Sequence, residues 1–249
     1  MKVNEEAVSE AVGFILILGI VITGIGLVTL YGYPVLIKEQ SSTDIKNMER
    51  AMIVLQNDQK SLCFKNVPYK ESSLQVTGGT LEVINASDYP VSIEILANGV
   101  PVGEYFLGAM IFHSDRGSEV ITLENGAVVT RQEGTAGSAM LAEPRWFYDN
   151  STGTFVAYIM KIVTDKPMAR SGMATVRMNL ANTTVIPVSS PDTTVLVTYN
   201  NDPSRDHSTA WRNYLTSNVG MQNAGGDTYT LSGVDKLVIK EYTIQILGI

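Results

Sequence analysis

AVGFILILGIVITGIGLVTLYGYPVLI, residues 11–37, carries no charged side chain and is bracketed by Glu10 and Lys38. These 27 residues exceed the roughly 20 that an α-helix needs to cross the hydrocarbon of a bilayer. The run is apolar on every side of a helical wheel, whereas the core helix of a soluble protein keeps a polar stripe. A cleaved secretory signal has a shorter apolar region, roughly 7–15 residues, followed by its small residues; here Ala7 and Ala11 come at the start. The stretch therefore reads as a retained transmembrane helix, with residues 1–10 as a short leader-like segment before it. Gly13, Gly19, Gly24 and Gly26 lie within the span, where a missing side chain lets another helix approach closely. Tyr31 and Tyr33 suit a membrane interface, and Pro34, which lacks an amide donor, predicts a kink at the end of the span.

Outward from this stretch the pattern changes. In STDIKNMERAMIVLQNDQKSL, residues 42–62, Ile45, Met48, Met52, Leu55 and Leu62 recur at helical spacing on one face. Residues 38–60 thus read as an amphipathic helical stalk. Two heptads are few for a coiled coil, so the seam is expected to pack on the following domain of the same chain, with self-association as the alternative.

Residues 61–249 read as a β-rich domain. Three stretches of alternating apolar residues each contain a two-residue turn signal: SSLQVTGGTLEVI with Gly78-Gly79, VSIEILANGVPVGEYF with Asn98-Gly99, and EVITLENGAVVTR with Asn125-Gly126. Further strands are expected at Thr154 to Thr164, Met173 to Met178, Thr193 to Tyr199 and Val238 to Leu247. A short helix is expected in NDPSRDHSTAWRNYLTSN, where Trp211, Tyr214 and Leu215 fall on one face, and exposed loops near Gly134 to Ala139 and Asn223 to Asp227. No βαβ pattern occurs. The expected class is α+β: a long N-terminal transmembrane helix followed by a mostly antiparallel meander or sandwich.

Composition narrows the function. The formal net charge is −7 over 249 residues, with no basic patch of the kind that neutralises phosphates, so nucleic acid is not an expected partner. Cys63 is the single cysteine, which leaves no disulfide within the chain and predicts a buried thiol between Leu62 and Phe64. The two histidines, His113 and His207, stand in no metal-ligand spacing, and HSDRGSE at His113 to Glu119 reads as a solvated turn. Phosphate-binding loops, dinucleotide fingerprints and nucleophile elbows are all missing from the sequence. We therefore expect no catalytic residue, no metal ligand, no cofactor, no small-molecule substrate and no enzyme activity. Three glycosylation acceptors occur, at Asn85, Asn150 and Asn182, all in the β-rich part, which suits an exported domain.

The segment EEAVSEAVGFILILGIVITGIGLV resembles the N-terminus of archaeal type IV pilin-like proteins, in which a Val-Ser-x-x-x-Gly start opens a long apolar helix; here those residues are Val8, Ser9 and Gly13. The Val-Ser-Glu start is most similar to a membrane-anchored, uncharacterised branch of that superfamily, as are LENGAVVTRQ and the Ala-Trp-x-x-Tyr-Leu segment ending at Leu215. The resemblance implies a leader removed by a prepilin peptidase between Ala7 and Val8, although Glu5 and Glu6 stand where such leaders usually carry Lys or Arg. It implies that Glu10 becomes the third mature residue, placed to pair with a neighbouring subunit's amino group. It also implies a single-pass protein of the cell membrane with an extracellular C-terminal domain, acting as a filament subunit or minor pilin alongside other pilin-like subunits. The alternative is a monomeric membrane-tethered module that binds an envelope protein or glycan.

Overall fold

A computed structural model describes the backbone of residues 5–65 and 67–249 and the side chains from Glu10 onward, Asn66 excepted. Of the leader-like segment, residues 1–4 lie outside the described part. The chain divides into two compact units, Met1–Asp44 and Ile45–Ile249.

In the first unit, α1 (Glu5–Leu27) is long and apolar enough to cross a membrane. Phe14, Ile15, Leu16 and Ile17 are 66%, 65%, 62% and 65% exposed, and four consecutive residues point to all sides of a helix. Its hydroxyls are closed on its own backbone, Thr23 Oγ1 donating to the Gly19 carbonyl at 2.7 Å and Thr29 Oγ1 to that of Ile25 at 2.9 Å. Such closure is what a medium without water requires. A single wide turn, Val28–Gly32, follows, in which the Tyr33 amide donates five residues back to the Val28 carbonyl. Helix α2 (Tyr33–Lys65) then continues past Pro34. This π-turn shifts the carbonyl register just ahead of Pro34, the residue that has no amide to donate, and a π-turn is itself one of the recognised causes of a helix bend.

The second unit begins at Ile45, so it includes most of the segment read as a stalk. Met48, Met52, Leu55 and Leu62 are fully buried along one face of α2, with Gln56, Gln59 and Cys63 beside them. Within the unit this face packs on the sheet rather than standing free.

Among the described residues the unit has one hydrogen-bonded sheet of 12 strands. They are β1 (Tyr69–Ile84), β2 (Ser92–Ala97), β3 (Val100–Phe106), β4 (Ala109–Ser114), β5 (Glu119–Glu124), β6 (Ala127–Gln132), β7 (Ser138–Ala142), β8 (Phe147–Asp149), β9 (Thr154–Thr164), β10 (Met168–Asn200), β11 (Gln222–Gly225) and β12 (Thr228–Gly248). The main path is β7-β6-β5-β4-β1-β10-β12-β9-β8, with the β2/β3 hairpin paired to the end of β10 and β11 to the start of β12. All pairs are antiparallel except β9 with β12, which run parallel from Thr154↔Lys236 to Thr164↔Ile246. The architecture is α+β, a long apolar helix followed by a mostly antiparallel domain.

Two expected hairpins are present. Asn98 and Gly99 (φ 50° and 77°) turn β2 into β3, and Asn125 and Gly126 (φ 46° and 68°) turn β5 into β6, both residues left-handed as a tight hairpin turn requires. The third is not. Gly78 and Gly79 lie inside β1, whose register on β10 shifts between Val76 and Leu81. Gly78 takes φ 66°, and a side chain at Gly79 would collide with the Phe112 ring and the His113 carbonyl of β4. The glycines serve a bulge and a close approach, and the strand runs on instead of folding back.

Two apolar cores result. One lies under α2 and takes Val83, Phe112, Ile121, Val176 and Ile244; the other takes Ile93, Ile111, Val129, Phe155, Val197 and Ile239 and is closed by α3 (Ser208–Ser217). Strands β4, β5 and β6 contribute to both, which is why they read as nearly continuous apolar runs, as in Met110–Phe112.

Candidate functional site

The least expected feature of the β domain is a buried charge. Glu124 ends β5 directly before the Asn125-Gly126 turn and has no exposed surface. Four side chains from separate parts of the chain converge on it. Tyr89, in the segment after β1, donates its hydroxyl to Oε2. Tyr199, near the end of β10, donates to Oε1 at 2.8 Å, and Trp211 Nε1 on α3 donates to the same oxygen at 2.8 Å. His207 Nδ1, at the N-terminal end of α3, stands 3.2 Å from Oε1. The neighbouring Asn125 Oδ1 accepts the Met160 amide of β9 at 2.7 Å.

Every group facing the carboxyl can donate, which selects the ionised form. Burial alone would raise the Glu124 pKa, but the charge of His207 and the converging donors outweigh it and hold the group down at about 2. Burial and the same negative charge push the Tyr89 and Tyr199 hydroxyls well above their ordinary value, so both remain donors. His207 is as buried as Glu124, and a solute cannot reach either group. The cluster joins β5, β10, α3 and the segment after β1; its geometry is that of an internal clasp.

Sequence reading misses this clasp. Its signal is an acidic residue closing the mostly apolar stretch Val120–Leu123, inside a segment read only for its turn. Trp211, Tyr214 and Leu215 are buried on α3 as expected, but Trp211 and Tyr214 also bond: the Trp146 amide donates to the Tyr214 hydroxyl at 2.9 Å. Cys63 is buried, and burial pushes its thiol up to about 12. His113 lies near the end of β4, half exposed, with Nδ1 3.6 Å from Glu133. Among the described residues no three His, Cys, Asp or Glu side chains gather as a metal site would need.

At Gly13, Gly19, Gly24 and Gly26, no described atom beyond the chain neighbours and the adjoining helix backbone lies within 4 Å of where a side chain would begin. Ala7 and Val8 lie within the backbone span of α1. The three acceptor asparagines differ in setting. Asn85 is half buried, its Oδ1 accepting the Thr164 amide at 3.3 Å and its Nδ2 donating to Ser87 at 2.8 Å. Asn182 is exposed in mid-strand on β10, with Nδ2 3.4 Å from Thr184 Oγ1. Asn150 is exposed in the β8–β9 turn, at the rim of a polar groove of about 450 Å³. A second groove, about 870 Å³, lies between the end of α2 and the segment around Arg145, whose guanidinium stands 4.7 Å from the Phe64 ring centre; there Lys60 Nζ donates to the Glu143 carbonyl at 2.9 Å.

The comparison with family models matches residues 6–245, the apolar helix together with nearly all of the β domain. The chain belongs to DUF7289, a family of unknown function. The match reaches into both units. No curated protein and no solved structure matches the chain.

Proposed function

We propose that this chain is a single-pass membrane protein that displays its β domain outside the cell as a structural, non-enzymatic subunit of a pilin-like surface assembly. The observation that carries the reading is the first unit: a helix with no charge between Glu10 and Lys38, apolar side chains exposed around it, and hydroxyls closed on its own backbone. Lipid, or the apolar helices of other subunits, supplies the missing cover. The unobstructed positions at Gly13, Gly19, Gly24 and Gly26 favour the second, because backbones can approach closely there. The acceptor asparagines in the β domain favour the outer side. The resemblance at Val8, Ser9 and Gly13 supports maturation by a prepilin peptidase, which would leave Val8 as the N-terminus.

The test is electron microscopy of surface material labelled for this chain, combined with mass spectrometry of its N-terminus. Filaments that contain the chain and begin at Val8 are expected. A monomer confined to the membrane with Met1 intact would overturn the filament reading in favour of a tether that binds an envelope protein or glycan.

A further inference from the structure

Two grooves border an acceptor asparagine, a residue that can carry its own occupant: a smaller one of about 290 Å³ beside Asn85, and the groove beside Asn150. The latter is lined by Tyr148, Asn150, Asn218, Gln222, Thr230 and Ser232 among others, a set of amides and hydroxyls with one aromatic wall. At about 450 Å³ it lies in the range of small-molecule sites. Asn150, Ser151 and Thr152 form an acceptor sequence in a turn that ends at Gly153 (φ 57°). Within it the Thr152 and Ser151 hydroxyls and the Ser151 amide are held by Asp149, whereas the Asn150 side chain makes no hydrogen bond to another described residue. Asn85, by contrast, uses both ends of its amide inside the fold, and Asn182 Nδ2 donates to Thr184 Oγ1 of its own strand at 3.4 Å.

We infer that Asn150 carries an N-linked glycan whose first sugars lie in this groove. The inference rests on the β domain being outside the cell. Asn150 Nδ2 would form a bond to the anomeric carbon of an oligosaccharide carried on a polyprenyl phosphate; the bond from that carbon to the phosphate oxygen breaks, the lipid phosphate leaves with the electron pair, and the displaced amide proton passes to a base of the transferase. The seated sugars place hydroxyls against Asn218, Gln222 and Ser232 and a ring face against Tyr148, contacts suited to a polar ring with one apolar face.

The experiment uses the full chain purified in detergent from native membranes. Peptides spanning Asn150 are weighed, and enzymatic glycan release is timed on folded and on urea-unfolded protein, with protease shaving of intact cells to report which side the domain is on. Hexose-bearing Asn150 is expected, released from the folded chain slower by roughly tenfold or more, the factor that about 1.4 kcal/mol of seating gives. Gln222→Ala should leave the glycan mass unchanged and shorten that delay, while Asn150→Gln removes the mass. An unmodified Asn150 overturns the inference; if shaving removes the domain, the surface assignment stands without it, and if shaving does not, both fail. A modified Asn150 released equally fast from folded and unfolded protein overturns the seating.

Discussion

Starting the chain at Lys60 removes the first part of the α2 face that closes one core, whereas starting it at Ile45 keeps that face whole. Met48, Met52 and Leu55 are 0%, 0% and 1% exposed. Full burial of such a side chain contributes roughly 1.5–3 kcal/mol, so the shorter chain forfeits about 5–9 kcal/mol from these three alone. Gln56 is lost as well; its Nε2 donates to the Gly126 carbonyl at 2.6 Å and the Glu143 carbonyl at 2.9 Å. The Glu143 carbonyl keeps Lys60 Nζ as a donor, but the Gly126 carbonyl loses Gln56, which costs about 1–3 kcal/mol more where water cannot reach it. A domain's whole stability is about 5–15 kcal/mol, so the chain from Lys60 should not fold while the chain from Ile45 should. Urea unfolding followed by fluorescence of the two tryptophans, Trp146 and Trp211, both buried in the opposite core, reads the outcome. Equal unfolding midpoints for the two chains would refute the reasoning, because they would mean that the α2 face is dispensable.

Glu124→Gln removes the negative charge on which four donors converge and leaves His207 buried beside a neutral amide, so it should destabilise the domain by roughly 3–5 kcal/mol in denaturant titrations. Because the folded-state pKa of Glu124 is depressed from 4.5 to about 2, its contribution, about 3 kcal/mol, is present above the unfolded value and is lost as pH falls from 4.5 towards 2. Acid titration of the parent and Glu124→Gln chains should therefore converge in that window, and parallel curves would contradict it. Ile22→Lys places a charge in the middle of the apolar run at a cost of roughly 2.5–3.5 kcal/mol on insertion scales and should reduce membrane retention, while Ile37→Lys, near the end, lets the amine reach the interface. Equal retention of both in membrane fractions would mean that the helix does not span. Cys63, buried and with its pKa raised to about 12, should react with thiol reagents only after unfolding, as counted by mass spectrometry.

What the sequence discloses here follows from how local each signal is. The apolar helix, the Asn-Gly hairpins, strand Thr154–Thr164 and the α3 face are all written in patterns a few residues wide, and all appear in the structure. Gly78-Gly79 misleads for the same reason: a glycine pair specifies a permissive backbone, and only the neighbouring Phe112 ring and His113 carbonyl decide that it serves a bulge. The extent of β10, 33 residues, is equally hidden, since Pro187, Pro191 and a run of polar residues interrupt its alternation where it pairs with β12 alone. The Glu124 clasp lies beyond sequence reading because its members are up to 122 positions apart, from Tyr89 to Trp211, and only the sheet order brings them together.

The long strands also decide when this chain can fold. Strand β12 supplies Tyr229, Leu231, Val234, Leu237 and Ile239 to one core and Tyr242, Ile244 and Ile246 to the other, and it pairs with β9, more than 80 positions earlier. Neither core can close before residue 228 and its successors have been made. Contacts this distant in sequence make for slow, all-or-none folding, with the meander β4 to β7 waiting as a half-covered sheet. A chain built this way stays unfolded through most of its synthesis, the condition in which a polypeptide can be threaded through a membrane pore, and becomes rigid only once its last strand has arrived.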